Sequence, residues 1–282
     1  MVFFYQKLYT DCITSSGDIF IVYLTWLRWL GVEQCACGFE WYSPDGTRKV
    51  HQTSKPPRGL KGLHEEGAIS FSLDLPSPLH VQITPSLSPW RPSGTSPLQG
   101  LSWSNRVPRA KVQLRWETPS SPTLWEGDGY ADWVEITQRP STLPLQTLQW
   151  GRLHLPETTV VYTHLIAKDG TPWTRVGEWS QGEFRETHDL TLQDQAPAFH
   201  LELSQPLASS QCYTLTPQRV LHQGDAINKE RYPQVLQRTI ARWLSGPMTE
   251  TRWYSRVQSQ TDPRQTGWAL HERVFFGKHQ EK

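Results

Sequence analysis

Apolar and polar residues alternate with a period of two along most of the chain, in segments bounded by Gly, Pro, Asp and Ser. The clearest case is residues 110–117, where Val112, Leu114 and Trp116 alternate with charged and amide side chains. Such alternation is typical of antiparallel strands with one buried face and one solvated face. The predicted strands are residues 19–30, 35–42, 68–73, 80–84, 110–117, 129–137, 148–155, 158–167, 171–179, 186–192, 199–203, 212–216, 251–258 and 268–276.

Two turn sequences and one helix complete the predicted elements. SPDG at 43–46 and KDG at 168–170 predict tight hairpins, because Gly and Asp accept the positive φ that such turns require. Residues 232–244 space Leu236, Ile240 and Trp243 at helical intervals, and the following Ser-Gly-Pro is a helix-stop sequence. One short amphipathic helix is therefore predicted in the second half.

The length of 282 residues suits two domains of about 140 residues each. Residues 138–145, with two prolines, predict the boundary, which gives an N-terminal β domain at 1–142 and a C-terminal β-barrel domain at 143–282. Residues 84–105 are rich in Pro, Ser and Gly and are interpreted as a long loop that carries Trp90 and Trp103. The halves are similar runs of short strands, so the predicted fold is all-β, with two barrel-like units in tandem.

Charge and composition exclude several classes of function. A formal net charge of +1, from 28 Lys and Arg against 27 Asp and Glu, provides no field to recruit nucleic acid, and membrane contact is expected to be peripheral at most. The four cysteines make no disulfide framework and the ten histidines are scattered, so no metal is predicted. The longest apolar run, residues 19–32, is too short to span a membrane, and the opening residues fit a secretory signal poorly. These features predict a soluble cytoplasmic protein.

Common catalytic motifs are also missing from the sequence. There is no G-x-G-x-x-G after a strand, no phosphate-binding G-x-x-x-x-G-K-[ST], no G-x-S-x-G elbow and no H-E-x-x-H. Fourteen Trp against two Met leave rigid aromatic rings as the main large apolar surfaces, which fill a core or line a pocket. Chemistry without a cofactor, or simple binding, in an apolar cavity is what remains.

The stretch GDGYADW at 127–133 carries the candidate chemistry. Residues two apart on a strand share a face, so Tyr130 and Asp132 point one way and Trp133 points the other. An acid among aromatic rings is disfavoured in its ionised form and is then able to protonate a double bond. In the alternative interpretation, Gly-Asp-Gly is a turn or bulge, Asp132 is a solvated strand-end residue, and the tryptophans belong to the core.

These residues resemble the carotenoid 1,2-hydratase family and its lipocalin-like relatives. The resemblance is carried by GYAD at 129–132, WGR at 150–152, and Trp103 followed by PRAKV at 108–112. It implies two lipocalin-like barrels and a cofactor-free site for a hydrophobic polyene or isoprenoid-like substrate. Tyr130 and Asp132 match the family's tyrosine and proton-donating aspartate, and Trp103 matches the tryptophan of its His-x-Trp pair.

The sequence departs from that family at one functional position, because Leu101 stands where the pair has its histidine. Without the imidazole, cyclisation or isomerisation is favoured over hydration. Trp103, Trp133, Trp150 and Arg152 are the predicted substrate-binding residues. A lipocalin-type pericyclase and a non-catalytic carrier of hydrophobic ligands remain as alternatives, and the sequence does not indicate the oligomeric state.

Overall fold

The computed structural model of the chain describes residues 3–62, 67–92, 98–118, 121–195, 198–203, 211–227 and 246–277. The described residues form β-strands and one 3-10 turn, Pro140–Thr142, so the predicted all-β fold is confirmed. The helix predicted at 232–244 lies outside the described residues. Within the described part of the chain, no helix has the length and apolar character needed to cross a membrane.

The strands of the first half are β1 Phe4–Thr14, β2 Ile19–Trp29, β3 Val32–Tyr42, β4 Arg48–Thr53, β5 Arg58–Lys61, β6 Ile69–Leu73, β7 Leu79–Pro85, β8 Leu101–Glu117 and β9 Pro122–Ile136. Those of the second half are β10 Leu145–His154, β11 Thr158–Ala167, β12 Pro172–Ser180, β13 Glu183–Thr187, β14 Leu190–Gln195, β15 Ala198–Leu203, β16 Gln211–Asp225, β17 Met248–Ser259 and β18 Thr266–Phe276.

The chain divides into two compact units. The first consists of Met1–Ser93 and Gln99–Arg139, and the second of Pro140–Lys282 with Gly94–Leu98. Each contains one antiparallel sheet, with strand order β4-β3-β2-β1-β9-β8-β7-β6-β5 in the first and β13-β12-β11-β10-β18-β17-β16-β15-β14 in the second. Adding nine to each strand number converts the first order into the second, so the two units share one topology. One is barrel-like and the other a half-barrel.

In both units the first strand pairs with the last, and the fourth and fifth strands form the two edges of the sheet. This makes β1 and β10 central strands, each paired on both sides. Local turn chemistry drives the hairpins between neighbours. Gly46, at φ 89°, closes the β3–β4 hairpin and Gly170, at φ 85°, closes β11–β12, which confirms both predicted hairpins.

Each unit has its own apolar core. In the first, alternate residues of β6, β7 and β8 pack together, as Phe71, Val81 and Leu114 illustrate. In the second, the core includes Leu153, Val176 and further residues of β15 to β18. The alternation that predicts these strands therefore also identifies the side chains that fill the cores.

The predicted loop at 84–105 is shorter in the structure than in the prediction. Strand β8 begins at Leu101, and Trp90 forms an isolated bridge with Asn105. The backbone N–H of Trp90 donates to the carbonyl of Asn105 at 2.9 Å, and the reverse bond measures 2.8 Å. This pairing holds Trp90 against the start of β8.

Candidate active site

The seam between β1 and β9 brings four polar and aromatic residues onto one face of the first sheet. Tyr9 is opposite Asp132, and Asp11 is opposite Tyr130. Directly opposed residues of antiparallel strands point to the same side. All four are buried, with Tyr130 wholly inaccessible and Asp132 5% exposed. We call this surface, together with Asn105 of β8, the polar face.

The other side of the same two strands is the apolar core. Leu8, Ala131 and Trp133 belong to it, and the Trp133 ring lies 5.8 Å from that of Trp26. Both faces are therefore buried at the centre of β1 and β9. The side chain of Trp133, a predicted substrate-binding residue, points away from the polar face, because adjacent residues of a strand face opposite sides of the sheet. It therefore does not lie beside the Asp132 carboxyl group.

Two glycines allow β9 to approach its neighbours closely. A Cβ atom on Gly129 would lie 2.3 Å from the carbonyl oxygen of Asp11 and 2.4 Å from Cγ2 of Val112. One on Gly127 would lie 2.2 Å from the carbonyl oxygen of Ile13. The Gly-Asp-Gly sequence thus lies inside a continuous strand, and the turn interpretation is wrong at this position.

Strand β8, which pairs with β9, contains two β-bulges. Register shifts occur between Asn105 and Val107 and again between Val107 and Ala110. Such bulges add residues on one strand and redirect its side chains. As a result Asn105 is opposite Asp132 on the polar face, whereas Val107 is opposite Ala131 and faces the core.

The carboxyl group of Asp132 is held by two donors. Trp103 Nε1 donates to Asp132 Oδ2 at 3.1 Å, and the Tyr130 hydroxyl donates to the same oxygen at 3.0 Å. The Tyr130 ring meets Tyr9 edge-on at 6.3 Å, and Trp103 meets Trp90 at right angles at 5.4 Å. The three residues predicted from the GYAD and Trp103 motifs are therefore in contact, around one buried carboxyl group whose orientation is fixed.

Besides Asp132 and Asp11, a further buried carboxyl group lies farther along the same sheet. Glu40 accepts hydrogen bonds from the hydroxyls of Tyr23, at 2.7 Å, and Tyr42, and pairs with Arg48 at 3.4 Å. The Tyr23 ring lies over Gly38, where a Cβ atom would come within 2.2 Å of it. Sequence reasoning missed Glu40, although period two places it on one face with Gly38 and Tyr42. Its three partners make it an anchor of the sheet.

The predicted residues Trp150 and Arg152 lie on β10, in the second unit. Arg152 is wholly buried, and its guanidinium carbon is 4.2 Å from the centre of the Trp268 ring. Its Nη1 lies 3.2 Å from Nε2 of His154. Stacking on an aromatic ring is a favourable environment for a buried guanidinium.

The second unit contains a buried serine–histidine pair that sequence reasoning also missed. The Ser255 hydroxyl and Nε2 of His271 are 2.7 Å apart, and Trp253 stacks on the imidazole at 5.1 Å. Burial, and to a lesser extent the charge of Arg273, lowers the pKa of His271 to about 3. A cavity of about 20 Å³ adjoins it, lined in part by Tyr162. That volume holds about one water molecule.

The described residues contain no group of three or more His, Cys, Asp or Glu side chains arranged to hold a metal ion. The chemical groups of the polar face are the Asp132 carboxyl group with its two donors, the Asp11 carboxyl group and the surrounding aromatic rings. Positioned carboxyl groups are among the groups that enzymes use for general acid–base catalysis.

Three solved proteins share the fold of this chain, and one of them, kievitone hydratase, is named as an enzyme. CghA, also solved with the compound Sch210972, aligns over 99% of this chain and 90% of its own, with a TM-score of 0.67 and 11% identity. NE1406 from Nitrosomonas europaea, solved as a candidate AttH, aligns over 97% and 92%, with a TM-score of 0.59 and 11% identity. Kievitone hydratase from Nectria haematococca aligns over 96% and 88%, with a TM-score of 0.54 and 10% identity.

No protein-family model matches the chain, and no curated protein sequence matches it. At about a tenth identity, the structural matches establish a shared fold. The fold is therefore the one that CghA, NE1406 and kievitone hydratase share.

Proposed function

We propose that this protein is a cofactor-independent enzyme that acts on a C=C bond of a hydrophobic, isoprenoid-like substrate, with Asp132 as the proton donor. The contact of Trp103 and Tyr130 with Asp132 Oδ2 carries the proposal. Because that oxygen accepts two hydrogen bonds, the acidic proton is placed on Oδ1. The carboxyl group then presents its proton in one direction.

The proposed reaction begins with transfer of the Asp132 proton to one carbon of the double bond. The π pair forms the new C–H bond, and the other carbon becomes a cation. The faces of Tyr9, Tyr130 and Trp103 stabilise that charge by cation–π attraction. Attack by a second double bond gives a ring, and the Asp132 carboxylate takes a proton back from the carbon beside the cation. The acid is regenerated without any cofactor.

Cyclisation or isomerisation is preferred over hydration in this proposal. Hydration needs a group that activates the attacking water, and Leu101 stands where the resembling family has its histidine. Leu101 is the first residue of β8, and because Trp103 follows two residues later, the two side chains lie on the same side of the strand. Kievitone hydratase has the same fold, and its name describes addition of water, which keeps hydration as an alternative outcome.

Two further candidates need no proton transfer. A pericyclase would use the Tyr130 hydroxyl and the shape of the site, and a carrier would return its ligand unchanged. CghA was solved with a small molecule on this fold, which is compatible with all three.

The experiment compares the wild type, Asp132→Asn and Asp128→Asn after incubation with extracts of the source cell, by mass spectrometry of bound and released small molecules. Asn keeps the shape and the acceptor oxygen of Asp132 but has no acidic proton, so turnover should fall about 10²- to 10⁴-fold while binding survives. Asp128 lies on the same side of β9, but it is partly exposed and pairs with Lys111 at 2.6 Å, so it is the matched control.

Each outcome separates the candidates. A compound converted by the wild type and Asp128→Asn but only bound by Asp132→Asn supports the acid. Conversion retained in Asp132→Asn would contradict the acid role and favour a pericyclase. A compound returned unchanged by every variant would identify a carrier.

A further inference from the structure

The side chain of Asn105 is a fully buried amide in β8. Asn105 is wholly inaccessible, and among the residues that the structure describes neither its Nδ2 nor its Oδ1 has a hydrogen-bond partner. Its backbone is paired in both directions with Trp90, so the side chain alone is unsatisfied. Buried amides in folded proteins are almost always hydrogen-bonded to protein, water or ligand. Neither of these two hydrogen bonds is therefore supplied by the part of the chain that the structure describes.

The position of Asn105 aims this amide at the candidate site. The bulge on β8 sets it opposite Asp132 on the polar face, two residues after Trp103. Pairing with Trp90 and with β9 fixes its backbone from both sides. The amide and the Asp132 carboxyl group thus lie on the same face of the sheet, on neighbouring strands.

The chemistry of the amide selects its partner. Nδ2 donates and Oδ1 accepts, so a group that offers a donor beside an acceptor on one edge satisfies both atoms at once. A primary carboxamide and a lactam have that edge. An anionic head group is disfavoured, because Asn105 has no positive charge to offer and the Asp132 carboxyl group directly opposite repels an anion when it is ionised.

We propose that Asn105 binds a neutral carboxamide or lactam group at the polar end of the substrate, through one hydrogen bond from the ligand N–H to Oδ1 and one from Nδ2 to the ligand carbonyl. The inference rests on the proposed function, since it concerns the same site. It adds that the substrate is amphipathic, with a polar amide end that sets the position of its hydrocarbon part against Asp132.

The test uses the full chain and three probes that share a hydrocarbon tail: octanamide, N,N-dimethyloctanamide and octanoate. Affinities are measured by isothermal titration calorimetry. The dimethyl amide keeps the carbonyl but has no N–H, so the wild type should bind octanamide about tenfold more tightly or better. Octanoate should bind more weakly than octanamide.

Substitution then assigns this preference to one residue. Asn105→Leu, which keeps the size but removes both polar atoms, should abolish the preference for octanamide and retain binding of the dimethyl amide. Gln113→Leu is the matched control, because Gln113 lies on the same strand and its amide bonds Glu126 at 2.6 Å on an exposed face. This control should keep the wild-type preference.

Stability distinguishes a ligand-binding amide from a structural one. Because no described residue bonds the amide, Asn105→Leu should melt at the wild-type temperature or above. If the variant does not fold, Asn105→Ala and the wild-type probe comparison still decide the matter.

Several results would overturn the inference. They are absence of an octanamide preference in the wild type, no binding of either amide, tighter binding of octanoate, and an unchanged preference in Asn105→Leu. The probes report binding without turnover. If Asp132→Asn keeps its turnover while the octanamide preference is present and depends on Asn105, only the proposed reaction is refuted. If Asp132→Asn loses turnover while the octanamide preference is absent or does not depend on Asn105, only this inference is refuted.

Discussion

The buried imidazole of His271 makes the protein sensitive to acid. In the folded chain its pKa is about 3, against an ordinary value of 6.5. Between these two values the unfolded chain binds a proton that the folded chain does not, so stability falls as the pH falls. The slope approaches about 1.4 kcal/mol per pH unit, and lowering the pH from 7 to 5 should cost about 2 kcal/mol through this residue.

Urea unfolding followed by tryptophan fluorescence at both pH values measures this contribution. His271→Gln removes the titrating group and keeps an amide that can bond Ser255, while His80→Gln removes an exposed histidine as the control. Carboxylates common to all three chains cancel in the comparison. The free energy of unfolding of His271→Gln should drop by about 2 kcal/mol less than that of the wild type, and His80→Gln should follow the wild type. An equal drop in all three would refute the reasoning.

Two further substitutions test the first sheet by urea unfolding. Gly129→Ala places a methyl group against the carbonyl of Asp11 and should cost about 1–3 kcal/mol, since backbone cannot move aside; an unchanged stability would show that the strands can separate locally. Glu40→Leu removes the buried partner of Arg48 and should cost about 3 kcal/mol, whereas the exposed Glu33→Leu should cost almost nothing. Equal effects of the two Glu substitutions would contradict the anchoring role of Glu40.

The shared strand order of the two units gives the candidate site its position. In such an order the first strand pairs with the last, so β1 and β9 meet at the centre of the sheet. Central strands have both edges hydrogen-bonded, and here both faces are buried as well. A rigid location of this kind suits groups that must hold a fixed orientation.

The sequence by itself determined the fold class, most of the strands and the motif at the site. A strand with one solvated face can be predicted from its sequence, as the alternation at 110–117 shows. Residues that point to the core are apolar and residues that point to solvent are polar. The hairpins at 43–46 and 168–170 are equally local, since Gly supplies the positive φ within the turn. The shared face of Tyr130 and Asp132 follows from strand geometry alone.

The tertiary structure decided what depends on distant strands. Strand β1 has no clear alternation because its centre is buried on both faces, so period two could not predict it. The place of Asn105 opposite Asp132 arises from a bulge, and the pairing of Tyr9 with Asp132 joins the two ends of the first unit. Register and bulges are set by packing between strands far apart in sequence, and no local pattern contains that information.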